Sequence, residues 1–227
     1  MDLVELYNMA HELPEKLQFH NKYTWLIFNG IVEARYLDIN DAITKNILIG
    51  SYIKSKGIIL LFPSKVNGVI TDIYVRALDS KETPLKLGPN KLPFGIGLLQ
   101  DNFKYGSQLI LVEGISDLGA LKLMKPDINV ISIQSNSISK DLAKFLSTIT
   151  NHFIILFDND SAGIKGSSIS RWRLNDLDCN VNIVNQHGTL KDAGDVLDII
   201  SAYLKRPTQE LKDKIELISE YYNFQLK

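Results

Sequence analysis

The second half of the chain alternates apolar strands with helices, and this pattern leaves few folds open. Four apolar runs follow residue 106, and a helical pattern comes after each of them. The strands are predicted at 108–112, 129–133, 152–157 and 181–184, and the helices at 116–125, 139–147, 162–175 and 194–203. Because these strands are apolar on both faces, they are typical of a parallel sheet covered by helices. We therefore predict an α/β unit over residues 106–203.

The chain before residue 106 combines helices with a hairpin. Helices are predicted at 2–18, 22–35 and 41–48, a buried strand at 57–63 and a hairpin at 66–78. Asn67-Gly68 is the turn signal of that hairpin, and a polar loop over 79–95 follows it. The pattern predicts a mixed α+β subdomain over 1–105, and the last residues, 204–227, are predicted to form a helical tail.

Composition excludes several classes of protein. The 227 residues are 45% apolar and 22% charged, as in an ordinary globular protein. Acidic residues stand at the N-terminus where a secretory signal needs basic ones, and no apolar run approaches the roughly 18 residues of a membrane span. Cys179 is the single cysteine, so no internal disulfide and no cysteine zinc site is expected. We predict a cytoplasmic protein without zinc.

Basic side chains are concentrated in one stretch, although the net charge of the whole chain is −1. Residues 51–105 carry eight basic and four acidic side chains. This local excess favours a polyanionic partner, while an ordinary solvated face is the alternative interpretation.

Acidic side chains follow three of the predicted strands in the second half. They are Glu113, Asp117, Asp158, Asp160, Asp192 and Asp195. The carboxyl ends of parallel strands meet at one edge of a sheet, so these acids are expected to converge there. Converging carboxylates repel one another unless cations neutralise them, and oxygen ligands of this kind suit Mg²⁺ or Mn²⁺. The alternative is that they cap helices, a role for which Asp117 and Asp192 are well placed.

Two features of the segment after Asp160 carry further expectations. Ala162 and Gly163 are small enough to let a phosphate or a hydrated metal approach the backbone N–H groups. Trp172 is expected to pack on the sheet; in the alternative, Arg171 and Arg173 flank it on a face turned toward nucleic acid.

The motifs VEGISD (112–117) and FDNDSAGIKG (157–166) together resemble the Toprim signature of bacterial-type primases, topoisomerases and some nucleases. With KDAGDVL (191–197) they are most similar to the primase branch, in a form familiar from phage helicase–primases, which favours a virus or mobile element as the source. The segment from 57 to 99 resembles the one that precedes Toprim in DnaG-like primases. The resemblance covers residues 45–203 and implies a Toprim-type parallel sheet flanked by helices and preceded by a mixed α+β subdomain.

The resemblance implies a DNA primase core that synthesises short RNA primers on single-stranded DNA by two-metal nucleotidyl transfer. Asp158 and Asp160 would hold Mg²⁺ or Mn²⁺, and Glu113 would be a further ligand or the base that receives the hydroxyl proton. Asp117, Asp192 and Asp195 would be outer or alternative ligands. The basic residues expected to bind nucleotide or template are Arg76, Lys86, Lys91 and Lys165. The expected partners are single-stranded DNA, nucleoside triphosphates, and a replicative helicase or a separate zinc-binding initiation protein, with no membrane.

The chain departs from the primase pattern in three places. It has no N-terminal zinc ribbon, Gln134-Ser135 stands where the family has Gly-Thr, and the C-terminal helicase-binding region is missing or reduced to the tail. These departures suggest a minimal catalytic core. Two other functions stay open at this point: a metal-dependent Toprim nuclease, and a non-catalytic accessory that binds nucleic acid through residues 54–104.

Overall fold

The computed structural model describes residues 2–18, 20–38, 57–78, 85–88, 92–99, 101–186, 188 and 190–226. The chain divides into two compact units, Met1–Leu92 and Pro93–Lys227. The helix predicted at 41–48 and the predicted ligand Lys91 lie outside the described residues.

The first unit contains a four-stranded antiparallel sheet in the order β1-β2-β3-β4. Its elements are α1 (Leu3–Met9), a 3₁₀ turn (Glu15–Leu17), α2 (Lys22–Phe28), β1 (Arg35–Asp38), β2 (Ile58–Val66), β3 (Val69–Ala77) and β4 (Leu85–Leu87). The predicted hairpin is confirmed, because Asn67 and Gly68 connect β2 to β3 with φ angles of 51° and 78°. Both angles are positive, as a type I′ turn requires. The helix predicted over 22–35 is shorter than expected, since Gly30 turns the chain with a φ of 66°.

Each face of this sheet packs against a different helix. One face carries Ile59, Leu61 and Val75, which join Leu6 and Tyr7 of α1 in a core of buried residues. On the other face the ring of Phe62 makes an edge contact with Tyr23 of α2, with the ring centroids 6.1 Å apart. Because side chains alternate along β2 and β3, one face of the sheet packs on α1 and the opposite face contacts α2.

The second unit is built on a four-stranded parallel sheet in the order β6-β5-β7-β8. Its elements are a 3₁₀ turn (Ile96–Leu98), β5 (Gln108–Val112), α3 (Ile115–Met124), β6 (Val130–Ser132), α4 (Lys140–Ile149), β7 (His152–Ile155), α5 (Ser161–Asn175), β8 (Asn180–Ile183), α6 (Asp195–Lys205) and α7 (Gln209–Gln225). Every predicted strand and helix of the α/β unit is present to within a few residues. The predicted fold class is confirmed.

The boundary between the units differs from the division predicted after residue 105. Phe94 and Ser132 exchange two backbone hydrogen bonds of 2.8 Å, and Phe94 is buried. The segment that begins at Pro93 therefore packs with the parallel sheet, because it forms a short antiparallel bridge at its β6 edge.

The predicted C-terminal tail is part of the second unit. Helix α7 buries Ile218 and Tyr222, and the Tyr222 hydroxyl donates a hydrogen bond of 2.5 Å to the Gln186 side chain. Lys125 also donates to the carbonyl of Leu226. No helix among the described residues, α7 with its 17 residues included, is both long enough and apolar enough to span a bilayer.

Candidate active site

Glu113 and Asp158 meet at the carboxyl edge of the parallel sheet. Glu113 follows β5 and Asp158 lies just beyond β7, and these two strands are neighbours in the sheet. Oε1 of Glu113 accepts a hydrogen bond of 3.0 Å from the backbone N–H of Asp158. The glutamate therefore faces the aspartate pair, as the sequence predicted from the positions of the strand ends.

Lys191 lies between the two aspartates, although sequence analysis gave this residue no role. Its Nζ is 2.9 Å from Oδ2 of Asp158 and 3.3 Å from Oδ2 of Asp160. The backbone N–H of Asn159 donates to the carbonyl of Lys191 over 2.6 Å, which ties the loop after β8 to the loop after β7. The signal for this contact was the lysine of the KDAGDVL motif, which directly precedes one of the predicted acids.

Asp160 caps helix α5 and also faces Lys191. Its Oδ1 accepts hydrogen bonds from the N–H groups of Ala162 and Gly163, at 3.0 and 2.9 Å. The expectation that these N–H groups are open to a phosphate is therefore wrong, because the Asp160 cap already uses them.

The absence of a side chain at Gly163 has a packing reason. A Cβ at this position would overlap the carbonyl oxygen of Asp158 and would lie 2.8 Å from Oε1 of Glu113. Glycine therefore lets the first turn of α5 come close to both acids, and any larger residue would push them apart.

Asp117 and Asp195 fix the loops around the aspartate pair. Asp117 is buried, and its two oxygens accept hydrogen bonds of 2.8 Å from the N–H groups of Gly114 and Gly194. Oδ2 of Asp195 accepts a hydrogen bond of 2.8 Å from the N–H of Lys191. The capping alternative therefore describes Asp117, as it does Asp160, whereas Asp195 holds the turn that precedes α6. Asp117 also joins the start of α3 to that turn.

Burial raises the pKa values of three of these carboxyl groups, and the charges of their neighbours add to the shift. Burial raises the pKa of Glu113 to about 7. The hydrogen bond from the backbone of Asp158 lowers this pKa in part, while the negative charges of Asp158 and Asp160 raise it further. Burial also raises the pKa of Asp158, although Lys191 opposes the shift. The pKa of Asp117 lies well above its usual range because of burial, with the charge of Asp192 as the next cause. One lysine therefore neutralises this cluster only in part.

The donor set suits a hard divalent cation. Among the residues that the structure describes, no three acidic, histidine or cysteine side chains are already arranged as ligands around one point. The ammonium group of Lys191 nevertheless shows that Oδ2 of Asp158 and Oδ2 of Asp160 share a single positive charge. Carboxylate oxygens of this kind are the ligands that Mg²⁺ and Mn²⁺ prefer.

Arg76 and Lys86, the predicted phosphate ligands of the first unit, are both held over tyrosine rings. The guanidinium carbon of Arg76 is 4.4 Å from the ring centroid of Tyr23. Nζ of Lys86 lies 5.0 Å from the ring centroid of Tyr74 and donates a hydrogen bond of 2.6 Å to the carbonyl of Leu92. These contacts fix both cations on one face of the antiparallel sheet.

The side chain of Trp172 on α5 is not where the sequence predicted it. This side chain is 59% exposed, so the expectation that it packs on the sheet is wrong. Arg173 turns inward and donates a hydrogen bond to the carbonyl of Ile138, whereas Arg171 and Lys165 are exposed. The two arginines that flank the tryptophan therefore have different environments.

Gln134 explains one departure from the primase pattern. Its φ of 53° lies in the left-handed region, which glycine adopts without strain and which other residues rarely adopt. Its N–H donates to the carbonyl of Glu113 over 2.9 Å, so the turn is retained without the glycine.

Residues 110–197 match a protein family described as Toprim-like. The structure is similar to that of the DnaG catalytic core, with a TM-score of 0.61 and 14% identity over 94% of this chain and 78% of that chain. It is also similar to the primase fragment of the bacteriophage T7 primase-helicase protein (TM-score 0.52, 17% identity, 85% of this chain and 70% of that one). A third similar structure is the DnaG primase catalytic domain bound to single-stranded DNA (TM-score 0.55, 14% identity, 90% and 77% covered). A comparison with curated protein sequences finds no match.

The two units together therefore have the fold of a primase catalytic core with a Toprim domain. The resemblance found in the VEGISD, FDNDSAGIKG and KDAGDVL motifs is confirmed at the level of the fold.

Proposed function

We propose that this protein is a DNA primase core that synthesises short RNA primers on a single-stranded DNA template. The observation that supports this most is the extent of the structural likeness. It covers 94% of the chain and so includes the antiparallel unit as well as the Toprim-like segment. A Toprim nuclease would need the second unit alone, so a primase accounts for more of the molecule.

In this proposal Asp158 and Asp160 hold the divalent cations, Mg²⁺ or Mn²⁺. Such cations, when bound, neutralise phosphate charge and lower the pKa of an attacking hydroxyl group. Glu113 is either a further ligand or the base that accepts the hydroxyl proton, and its hydrogen bond to the backbone of Asp158 keeps it beside the pair. Asp192 is an outer ligand, and Asp117 orients the loops that carry the site.

Lys191 keeps the aspartate pair together when no divalent cation is bound. Hydrogen bonding to Asp158, opposed only in part by desolvation, raises the pKa of Lys191 above its usual range, so the side chain carries its positive charge at neutral pH. Without it, Asp158 and Asp160 would repel each other across the mouth of the site.

Nucleotide and template phosphates would be neutralised by Arg76 and Lys86, with Lys91 and Lys165 as further candidates. The stacking of Arg76 on Tyr23 holds the plane of its guanidinium group, which favours a two-pronged contact with a phosphate.

The partners are inferred from the relatives. One is bound to single-stranded DNA and another is the primase part of a primase-helicase protein. We infer a single-stranded DNA template for this chain, and a replicative helicase or a separate zinc-binding initiation protein as its partner in the cytoplasm.

The direct test is primer synthesis by the purified protein. Single-stranded DNA, labelled nucleoside triphosphates and Mg²⁺ or Mn²⁺ are supplied, and short labelled RNA is the expected product. Asp158→Asn should abolish the product and weaken Mn²⁺ binding measured by electron paramagnetic resonance. Asp213→Asn, a matched change at an exposed acid on α7, should alter neither.

Two outcomes would contradict the proposal. If the Asp158→Asn variant makes labelled RNA as fast as the unmodified protein, Asp158 is not part of the active site. Cleavage of the DNA without nucleotides, lost in the same variant, would make the protein a Toprim nuclease.

A further inference from the structure

Helix α5 presents one continuous exposed face to solvent. Its side chains recur every three or four residues and cover about a third of the helix circumference. We call this the outer face of α5, and it consists of Ile164, Lys165, Ser168, Arg171, Trp172 and Asn175.

The opposite side of the helix is packed closely, which holds the outer face in place. Gly163, Gly166, Ser170 and Leu174 are buried on that side. A Cβ at Gly166 would overlap the carbonyl oxygen of Asn136, so the helix axis lies as close to that loop as glycine permits. Side chains on the outer face therefore project from a rigid element.

The outer face is electropositive and carries a large exposed ring. The sequence of α5 has three basic residues and no acidic ones, and acids occur only beyond its ends, at Asp160 and Asp176. Lys165 and Arg171 form no ion pair among the residues that the structure describes. Trp172 and the two cations are open to solvent on the same face, so a ligand that offers both a flat apolar surface and negative charge can contact all three.

We propose that the outer face of α5 binds single-stranded nucleic acid, with Trp172 stacked on a base and Lys165 and Arg171 in contact with phosphates. Exposed aromatic rings within positive grooves are the common means of holding single strands, because every base offers a stacking surface. A duplex offers its stacked bases no such access, so a single strand fits the ring better.

The position of α5 connects this face to the acid cluster. Asp160 caps the helix, and Trp172 lies twelve residues further on, about 18 Å along the axis. A strand that follows the face would therefore lead away from the candidate active site. Whether that strand is template or primer rests on the proposed function. Binding of the strand to the outer face of α5 can be measured without any catalysis.

The test uses the intrinsic fluorescence of the full chain. The protein has two tryptophans, and Trp25 is only 7% exposed, so Trp172 dominates any change caused by contact with a ligand. Titration with an oligothymidylate in EDTA should quench the tryptophan emission along the same isotherm that anisotropy of the labelled oligonucleotide reports. Trp172→Ala should weaken binding about tenfold, while Trp172→Phe, which keeps a ring, should restore most of it.

The charges are tested by the salt dependence of binding. The double variant Lys165→Ala/Arg171→Ala should reduce the slope of log K against log salt by about 1.4, from two lost phosphate contacts at about 0.7 each. Matched controls are Phe224→Ala, an exposed ring on α7, and Lys140→Ala/Lys144→Ala, two exposed lysines on α4. Neither control should change the affinity or the slope.

Several results would overturn the proposal. They are equal affinity of Trp172→Ala and the unmodified protein, binding without quenching, no binding of the single strand at all, or a preference for a duplex of equal length. If the outer face of α5 binds a protein partner instead, the single strand should not bind at all. Loss of primer synthesis in Asp158→Asn with unchanged quenching would support both proposals. Trp172-dependent binding by a protein that makes no primer would leave this inference standing and remove the proposed function.

Discussion

The ammonium group of Lys191 lies 2.9 Å from Oδ2 of Asp158 and occupies the space between the two aspartates. The protein thus supplies its own positive charge where a divalent cation would have to bind. Because the ammonium group and a divalent cation cannot both bind the same two oxygens, the lysine is expected to compete with the metal.

Lys191→Met should therefore bind Mn²⁺ more tightly. Removal of one positive charge about 3 Å from the shared oxygens should increase the affinity roughly tenfold, as measured by electron paramagnetic resonance. Without metal, the same variant should unfold more easily than the unmodified protein, because Asp158 and Asp160 lose their counter-charge. Lys212→Met is the control, since Lys212 pairs with Glu216 on exposed α7, and it should leave Mn²⁺ binding unchanged. Weaker Mn²⁺ binding by Lys191→Met would mean that the lysine supports the metal instead of opposing it.

The pKa of Glu113 predicts a stability that falls as the pH rises. The folded protein holds the Glu113 proton up to about pH 7, whereas an unfolded glutamate releases it near 4.5. Its contribution is therefore fully present below pH 4.5 and is lost as the pH rises through 7. After allowance for partial exposure, the loss is on the order of 1–2 kcal/mol.

Urea unfolding in EDTA at pH 5 and pH 7.5 measures this loss, and Glu113→Gln should reduce the difference between the two values. Glu220→Gln changes an exposed glutamate of α7 and should retain the full difference. An unchanged difference in Glu113→Gln would assign the pH dependence to other groups, with Asp158 and Asp117 next in line.

Gly166→Ala should destabilise the second unit in spite of alanine's better helix propensity. The added methyl group would overlap the backbone of Asn136, which cannot move as easily as a side chain. We expect a net loss of about 2 kcal/mol, since overpacking outweighs the gain of about 1 kcal/mol from propensity. Ser168→Ala on the outer face of the same helix should be neutral or slightly stabilising. A stable Gly166→Ala variant, as judged by urea unfolding, would show that the loop at Asn136 yields.

The sequence predicted most of the second unit because its signals are local. Apolar runs defined the four strands, and the position of acids after strand ends correctly predicted that Glu113 faces Asp158. Asn67-Gly68 predicted the hairpin for the same reason, since a turn with two positive φ angles depends on two adjacent residues.

The positions of the Lys191 and Trp172 side chains were not predicted. The position of Lys191 depends on the hydrogen bond that joins its carbonyl to Asn159, 32 positions earlier in the chain. Trp172 was expected to pack on the sheet because a large apolar residue on a helix usually does so. Gly166 and Ser170 are buried against the loop that precedes α4, at Asn136 and Ile138, so the small residues of α5 face inward and Trp172 turns outward.

The contacts of Lys86 predict a structural contribution in addition to the phosphate binding proposed for it. The Asp72 side chain is fully buried, and Nζ of Lys86 lies 4.0 Å from its Oδ2. Lys86→Met should destabilise the first unit by about 2 kcal/mol, because a buried carboxylate loses a nearby cation. The double variant Asp72→Asn/Lys86→Met should recover part of this loss in a double-mutant cycle measured by urea unfolding. Lys65→Met removes an exposed pair with Glu33 from the same sheet and should cost no more than about 1 kcal/mol. If Lys86→Met unfolds like the unmodified protein, the lysine does not stabilise Asp72.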